Sequence, residues 1–265
     1  MDDLISFTQL PNDTPFTPRS DLLLIDAARV DNPTAQGLWG FVSNARYSNK
    51  HPVYDISGQK LGHLKGGVMD VGYTFEAIYL GHKEFAIASV PLNSRSDSLV
   101  RVRPVGSYLF RPSLGQRFAV TESLNLGRDW VSGNNSIHVF RQLDKLNNNI
   151  LFVSNYGFIV VDRHDFEPIK RVTFDHGYGA LKGVGISPKR PILAVVFSTY
   201  SKTDKLDNTY LYKNFVTLYD MAEGNKMGET ALPGDKETSW NVTFSECGRQ
   251  IRVSNGQTHL TFDMK

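Results

Sequence analysis

Short apolar runs closing on a serine recur along this chain. FVSN occupies residues 41–44 and again 152–155, and RVSN occupies 252–255. The looser shape adds FAIAS at 85–89 and LAVVFS at 193–198. The runs are too short for helices and rich in β-branched and aromatic residues, so each predicts a buried strand that ends at a turn. The closing serines are Ser43, Ser89, Ser154, Ser198 and Ser254, separated by 46, 65, 44 and 56 residues. That spacing divides the chain into about five units of roughly 53 residues, the signature of a repeat architecture.

Each unit carries more than this one strand. Apolar runs ending in Asp follow it: PVYD (52–55), IVVD (159–162), TLYD (217–220) and LTFD (260–263). The second unit has LVRVRP (99–104) instead. A strand and a polar turn precede it, as in GVGISPKRPILAVVFS (183–198) and NVTFSECGRQIRVSNG (241–256). A fourth run, KRVTFDHG (170–177) or KMGETALPGD (226–235), completes the unit. In unit order these are strands a, b, c and d. The last unit stops after its c strand at FDMK. FTQLPND (7–13) matches ETALPGD (229–235), so residues 4–11 are expected to supply the missing outer strand, ahead of a first a strand at LLLID (22–26). The fold expected is therefore all-β: a β-propeller of about five blades, with six as the alternative. One domain would span residues 1–265, closed by the N-terminal strand pairing into the last blade. The sixth blade would come from WVSGNNSIHVF (130–140). A β-sandwich would show similar turn spacing but not the split final unit.

These units resemble WD40-type repeats. Gly62-His63 and Asp175-His176 stand where the family has Gly-His. Ser187-Pro188-Lys189-Arg190 and Ser245-Glu246-Cys247-Gly248 stand at its a–b turn. Tyr54-Asp55, Val161-Asp162, Tyr219-Asp220 and Phe262-Asp263 stand where Trp-Asp closes strand c. The resemblance implies structural roles for His63, Ser89, His176, Ser198, Asp55, Asp162, Asp220 and Asp263, with His63 reaching Ser89 and His176 reaching Ser198. No unit has a true Trp-Asp, so the family's hydrogen-bond network cannot be complete. From the residues themselves, an Asp after strand c accepts backbone N–H groups in the next turn, and the serines satisfy buried turns. The resemblance also implies a non-catalytic protein-interaction scaffold that binds through d–a and b–c loops on one face.

Composition narrows function mainly by exclusion. With 29 Lys and Arg against 27 Asp and Glu, the net charge of +2 gives no global pull toward nucleic acid or an anionic membrane. One cysteine, Cys247, rules out an intrachain disulfide and points to a reducing compartment, the cytoplasm or nucleus. The start, MDDLISFTQL, lacks the apolar core of a signal peptide, and no run is long enough to span a bilayer. G-x-S-x-G, HExxH, Walker and GxGxxG motifs are missing. No cofactor or metal is expected, and the chain is expected to be a monomer or a subunit of a hetero-complex. The alternative function is a carbohydrate-active propeller, a lectin or a glycosidase, whose acids would come from positions such as Asp26, Asp70 and Glu122.

Interruptions of the repeat mark where a partner would bind, because loops on a rigid scaffold carry function. Two b–c loops look long: PLNSRSDS (91–98) and TYSKTDKLDNTYLYKN (199–214). They nominate Arg95, Tyr200, Lys202, Lys205, Tyr210 and Tyr212 as contacts to another protein, since Tyr and basic residues make strong interface anchors. Arg95, Arg101, Arg103, Arg111, Arg117 and Arg128, against Asp97 and Glu122, form a milder basic bias, read as a solvated face with a patch for an acidic partner as the second option.

Overall fold

A computed structural model describes residues 5–18, 40–41, 50–54, 60–65, 76–81, 84–89, 97–107, 116–127, 139–143, 149–175, 179–202, 210–234 and 238–265. Every regular element among them is a strand. The chain divides into two compact units, one of Met1–Leu23 with Lys170–Lys265 and one of Leu24–Ile169. LLLID, residues 130–138 of WVSGNNSIHVF, Asp55, Arg95, Arg111, Arg128, His176, Lys205, Asp26 and Asp70 lie outside the described residues.

The first unit holds two four-stranded antiparallel sheets. One is a meander of β13 (Gly179–Ile186), β14 (Ile192–Lys202), β15 (Tyr210–Asp220) and β16 (Lys226–Leu232). The other runs β17 (Asn241–Phe244), β18 (Gln250–Ser254), β19 (His259–Met264), with β1 (Phe7–Leu10) as its outermost strand. Phe7 faces Met264 and Leu10 faces Thr261 across that antiparallel pair. The N-terminal strand thus lies in the C-terminal sheet, at the outer position that the FTQLPND match indicated. Strand order of this kind is that of propeller blades.

Glycines set how closely these two sheets pack. A Cβ on Gly183 would run into the Trp240 carbonyl, and one on Gly185 would sit 2.7 Å from Val242 Cγ1. On the outer side a Cβ on Gly228 would meet the Ile5 carbonyl. Backbone bonds cross at both places, Trp240 N–H to the Lys182 carbonyl (2.8 Å) and Ile5 N–H to the Met227 carbonyl (2.7 Å). Between them lies an apolar core that includes Ile192, Val196, Val216, Phe244, Val253 and Phe262.

In the second unit, β5 (Glu76–Gly81), β6 (Glu84–Ser89), β7 (Asp97–Ser107) and β8 (Gln116–Gly127) form one meander. A shorter one comprises β2 (Gly40–Phe41), β3 (Lys50–Tyr54) and β4 (Lys60–Lys65). The two were expected to be separate blades. Instead β4 pairs in parallel with β8, with Gly62 opposite Gln116, and a seven-stranded sheet results. That strand order leaves β8 and β7 between β4 and β6, about 14 Å at ordinary strand spacing. His63 and Ser89 therefore belong to strands that are not neighbours in this sheet.

The last sheet runs β9 (Val139–Leu143), β10 (Asn149–Ser154), β11 (Gly157–Val161) and β12 (Pro168–Thr173). Strands β10 and β11 are buried at every position, which suits their unbroken apolar sequences NILFVS and GFIVV. Ile150, Phe152, Ile159, Val161 and Phe166 join Ala86, Leu99 and Leu126 in one core cluster.

Candidate functional site

The segment read as a 16-residue b–c loop is mostly strand. Strands β14 and β15 pair without a break from Ile192–Asp220 out to Lys202–Tyr210. Only residues 203–209 remain between them. The polar composition suggested a loop, yet Thr and Tyr are good strand formers, and cross-strand pairing decides the outcome. Pairing of β13 to β14 stops at Gly179–Thr199, and pairing of β16 to β15 stops at Leu232–Asn214. Beyond those pairs, Tyr200–Lys202 and Tyr210–Tyr212 pair only with each other among the described residues. They form a two-stranded ribbon projecting past its own sheet.

The register brings most of the nominated residues together. Tyr200 is opposite Tyr212 and Lys202 is opposite Tyr210. The Tyr200 and Tyr212 rings lie 6.0 Å apart, tilted by 52°. Tyr200 is 48% exposed and Leu211 50%, a high value for large apolar side chains. Alongside the ribbon base lies a groove of about 310 Å³ lined by Tyr212, Lys213, Asn214, Leu232 and Gly234. Sequence reasoning missed Leu211 and the groove. The alternation in YLYK carried the signal for Leu211.

Arg101 corrects the reading of a solvated basic face. It is only 5% exposed. Its Nε and Nη2 donate to Glu84 Oε2 at 3.1 and 2.7 Å, and its Nη1 donates to Glu122 Oε2 at 3.1 Å. The same Nη1 donates to the carbonyls of Arg163 and His164, at 2.7 and 3.0 Å. Arg103 Nη1 lies 3.1 Å from Glu122 Oε1. Arg103 Nε is 3.1 Å from Glu84 Oε1, a charge contact rather than an aligned hydrogen bond. Burial alone would raise the Glu84 pKa, but the hydrogen bond from Arg101 and the charges of both arginines hold it below the usual value. Glu122, nominated as a catalytic acid of the carbohydrate-active alternative, is a member of this ion cluster.

The repeated Ser and Asp residues sit at turns. Ser154 is buried and its Oγ accepts the Tyr156 N–H at 3.1 Å. Asp162 Oδ1 accepts the N–H groups of His164 and Asp165, and Asp220 Oδ1 accepts those of Ala222 and Glu223. The bonds from Asp165 and His164 keep the Asp162 carboxyl below its ordinary pKa. Asp263 differs, for it lies within β19 between Thr8 and Gln250 and closes no turn. There the N-terminal strand takes the place a c–d turn would need. Ser198 is buried, and its Oγ has no hydrogen-bond partner among the described residues. Cys247 is exposed, its thiol pKa lowered by the Ser245 hydroxyl and the Arg249 backbone. Among the described residues no three His, Cys, Asp or Glu side chains converge to hold a metal ion, and no helix could cross a membrane.

No protein-family model matches the chain, and no curated protein matches it. Solved structures do overlap with it. A Dos1 propeller is 13% identical with a TM-score of 0.46, covering 78% of this chain and 48% of its own. A europium-containing methanol dehydrogenase is 10% identical with a TM-score of 0.46, covering 83% and 57%. The C-terminal WD40 domain of Sif2 is 11% identical with a TM-score of 0.38, covering 80% and 63%. The chain thus spans about half to three-fifths of the length of these structures. Overlaps of this extent carry no inference about function, and the assignment to the propeller class rests on the strand order given above.

Proposed function

We propose that this protein is a non-catalytic interaction scaffold that captures another protein through the β14–β15 ribbon. The supporting observation is that, among the described residues, the ribbon pairs with no other strand of its sheet. It runs beyond the last partners of β14 and β15, yet it carries exposed Tyr200 and Leu211 at its base. Aromatic and apolar residues projected on a rigid strand pair lose little entropy on binding. The nominated Lys202, Tyr210 and Tyr212 belong to the same element.

The test follows from the register. Joining Thr199 to Lys213 through Asn-Gly keeps the Thr199–Lys213 pair and gives a two-residue hairpin turn. Every pairing with β13 and β16 is retained. Far-ultraviolet circular dichroism and the melting temperature should stay within a few degrees of the parent. A pull-down from native lysate should lose the protein that the full chain captures. Undiminished capture by a stable variant would move the site off the ribbon. Collapse of the fold would make the ribbon a structural element instead.

A further inference from the structure

We infer that the ribbon binds its partner by main-chain strand addition: an extended peptide segment, bearing a carboxylate, pairs with the open edge of β15 at Tyr210–Lys213. This rests on the scaffold reading and specifies what the ribbon recognises.

Among the described residues this edge is unpaired for a local reason. Strand β16 runs along β15 up to Leu232, opposite Asn214. The next two residues are Pro233 and Gly234. Proline has no N–H to continue a ladder. Gly234 has φ +105°, a conformation that turns the chain out of the strand. Asn214 Nδ2 fixes that departure by donating to the Gly234 carbonyl at 3.1 Å. The course that β16 would have followed is left as the groove lined by Tyr212, Lys213, Leu232 and Gly234.

A strand edge presents alternating N–H and C=O groups. A folded side-chain surface cannot match that row, whereas an extended backbone can. Side chains of β15 set the preference, since Glu229, which also lines the groove, is already paired with Lys226 and accepts from the Thr217 hydroxyl, both at 2.8 Å. Leu211 is half exposed, which favours an apolar neighbour. Lys213 is exposed, and its ammonium has no carboxylate partner among the described residues. A partner strand carrying Asp or Glu there would pair with that ammonium.

The experiment uses the full chain and a phage-displayed library of random 12-residue peptides. Enriched peptides are synthesised and their affinity measured by fluorescence anisotropy. Each is then remade with a single N-methyl group at successive residues, which removes one backbone N–H at a time. Strand addition predicts a loss of about tenfold at every second residue and little change between, since only alternate N–H groups face the protein. Lys213→Glu should weaken acidic peptides about tenfold. Loss of binding to the Thr199–Asn-Gly–Lys213 variant without the alternating N-methyl pattern would overturn strand addition and leave the scaffold reading standing. Binding that survives in that variant would overturn both. Enrichment of nothing, or dimerisation of the chain that Leu211→Lys abolishes, would also overturn the inference, the latter by showing that a second copy occupies the edge.

Discussion

Arg101 offers the sharpest test of how the second unit is held together. Its guanidinium makes five hydrogen bonds, three to the carboxylates of Glu84 and Glu122 and two to the carbonyls of Arg163 and His164. Arg101→Met keeps the apolar stem and removes every one. Two carboxylates then share a single cation, Arg103. Deleting one partner of a buried ion pair costs about 3–5 kcal/mol. The carboxylates retain side-chain exposures of 23% and 29%, so water offsets part of this and about 3 kcal/mol is expected. That is a large share of the roughly 5–15 kcal/mol that holds a domain folded. Arg101→Lys keeps the charge but not the planar fork, and should lose about half as much. Urea denaturation followed by circular dichroism measures the loss. Hydrogen exchange should also show faster opening around residues 163–164, whose carbonyls lose their donor. The acid limb supplies a second readout. Glu84 has a folded pKa below its usual 4.5, so it stabilises above that value and the contribution disappears as pH falls through the depressed folded pKa. In Arg101→Met the main force depressing that pKa is gone and burial remains, so the acid limb should flatten. A loss under about 1 kcal/mol with an unchanged acid limb would refute the cluster as a structural latch.

Gly183→Ala should cost about 2 kcal/mol or more by melting, because its Cβ meets the Trp240 backbone rather than a movable side chain; a neutral result would mean the sheets can part. Ser198→Ala should change the unfolding free energy measured in urea by less than about 0.5 kcal/mol, since it removes a buried hydroxyl with no partner among the described residues; a loss above about 1 kcal/mol would show the hydroxyl is bonded. Gly224→Ala should cost about 1–2 kcal/mol, for Gly224 has φ +83° and its Cβ would lie 2.8 Å from Val172 Cγ2. Phe166 occupies the equivalent turn position at φ 58°, yet Phe166→Gly should destabilise by about 2–4 kcal/mol, because relief of backbone strain is smaller than the loss of a ring buried in the core.

What could be read in advance follows from which forces leave a pattern. Strands β10, β14 and β18 were visible because a central strand needs an unbroken or alternating apolar run, and the residue after it must satisfy a turn. The equivalence of the turns at Ser187 and Ser245 was visible for the same reason. Each closes with a bond from the serine N–H, to the carbonyls of Ile192 and Gln250 respectively, both at 2.9 Å. The β1–β19 pairing was legible through a short match to β16. The ribbon was not, because polar β-formers in TYSKTDKLDNTYLYKN read equally well as a loop. Arg101 was hidden too. Alternating Arg on a strand describes a solvated face until the partner carboxylates, 17 and 21 residues away in sequence, are placed beside it. Nor does any local period encode the parallel contact of β4 with β8, since strand pairing between units depends on backbone groups that every residue shares.

Charge in this chain is used at recurring places. The turn after Asp162 presents the carbonyls of Arg163 and His164, and Arg101 from an earlier sheet donates to both. The turn after Asp220 presents the Glu223 carbonyl, and Lys170 Nζ, from the strand before β13, donates to it at 3.0 Å. The two turns share the same Asp cap and the same backbone bond, from the N–H of residue five to the Asp carbonyl. Such a turn resembles the end of a helix, where carbonyls point outward and favour a cation. Arg101 and Lys170 are therefore committed to joining neighbouring parts of their own units, and counting them toward a binding surface overstates it. The ribbon stands apart on the same criterion. Its outer residues meet no strand beyond each other among those described, so sequence change there is free of the constraints that fix the turns. A partner site built on such an element can be lost or respecified while the sheets remain, and this separates the consequences of ribbon replacement from those of Arg101→Met.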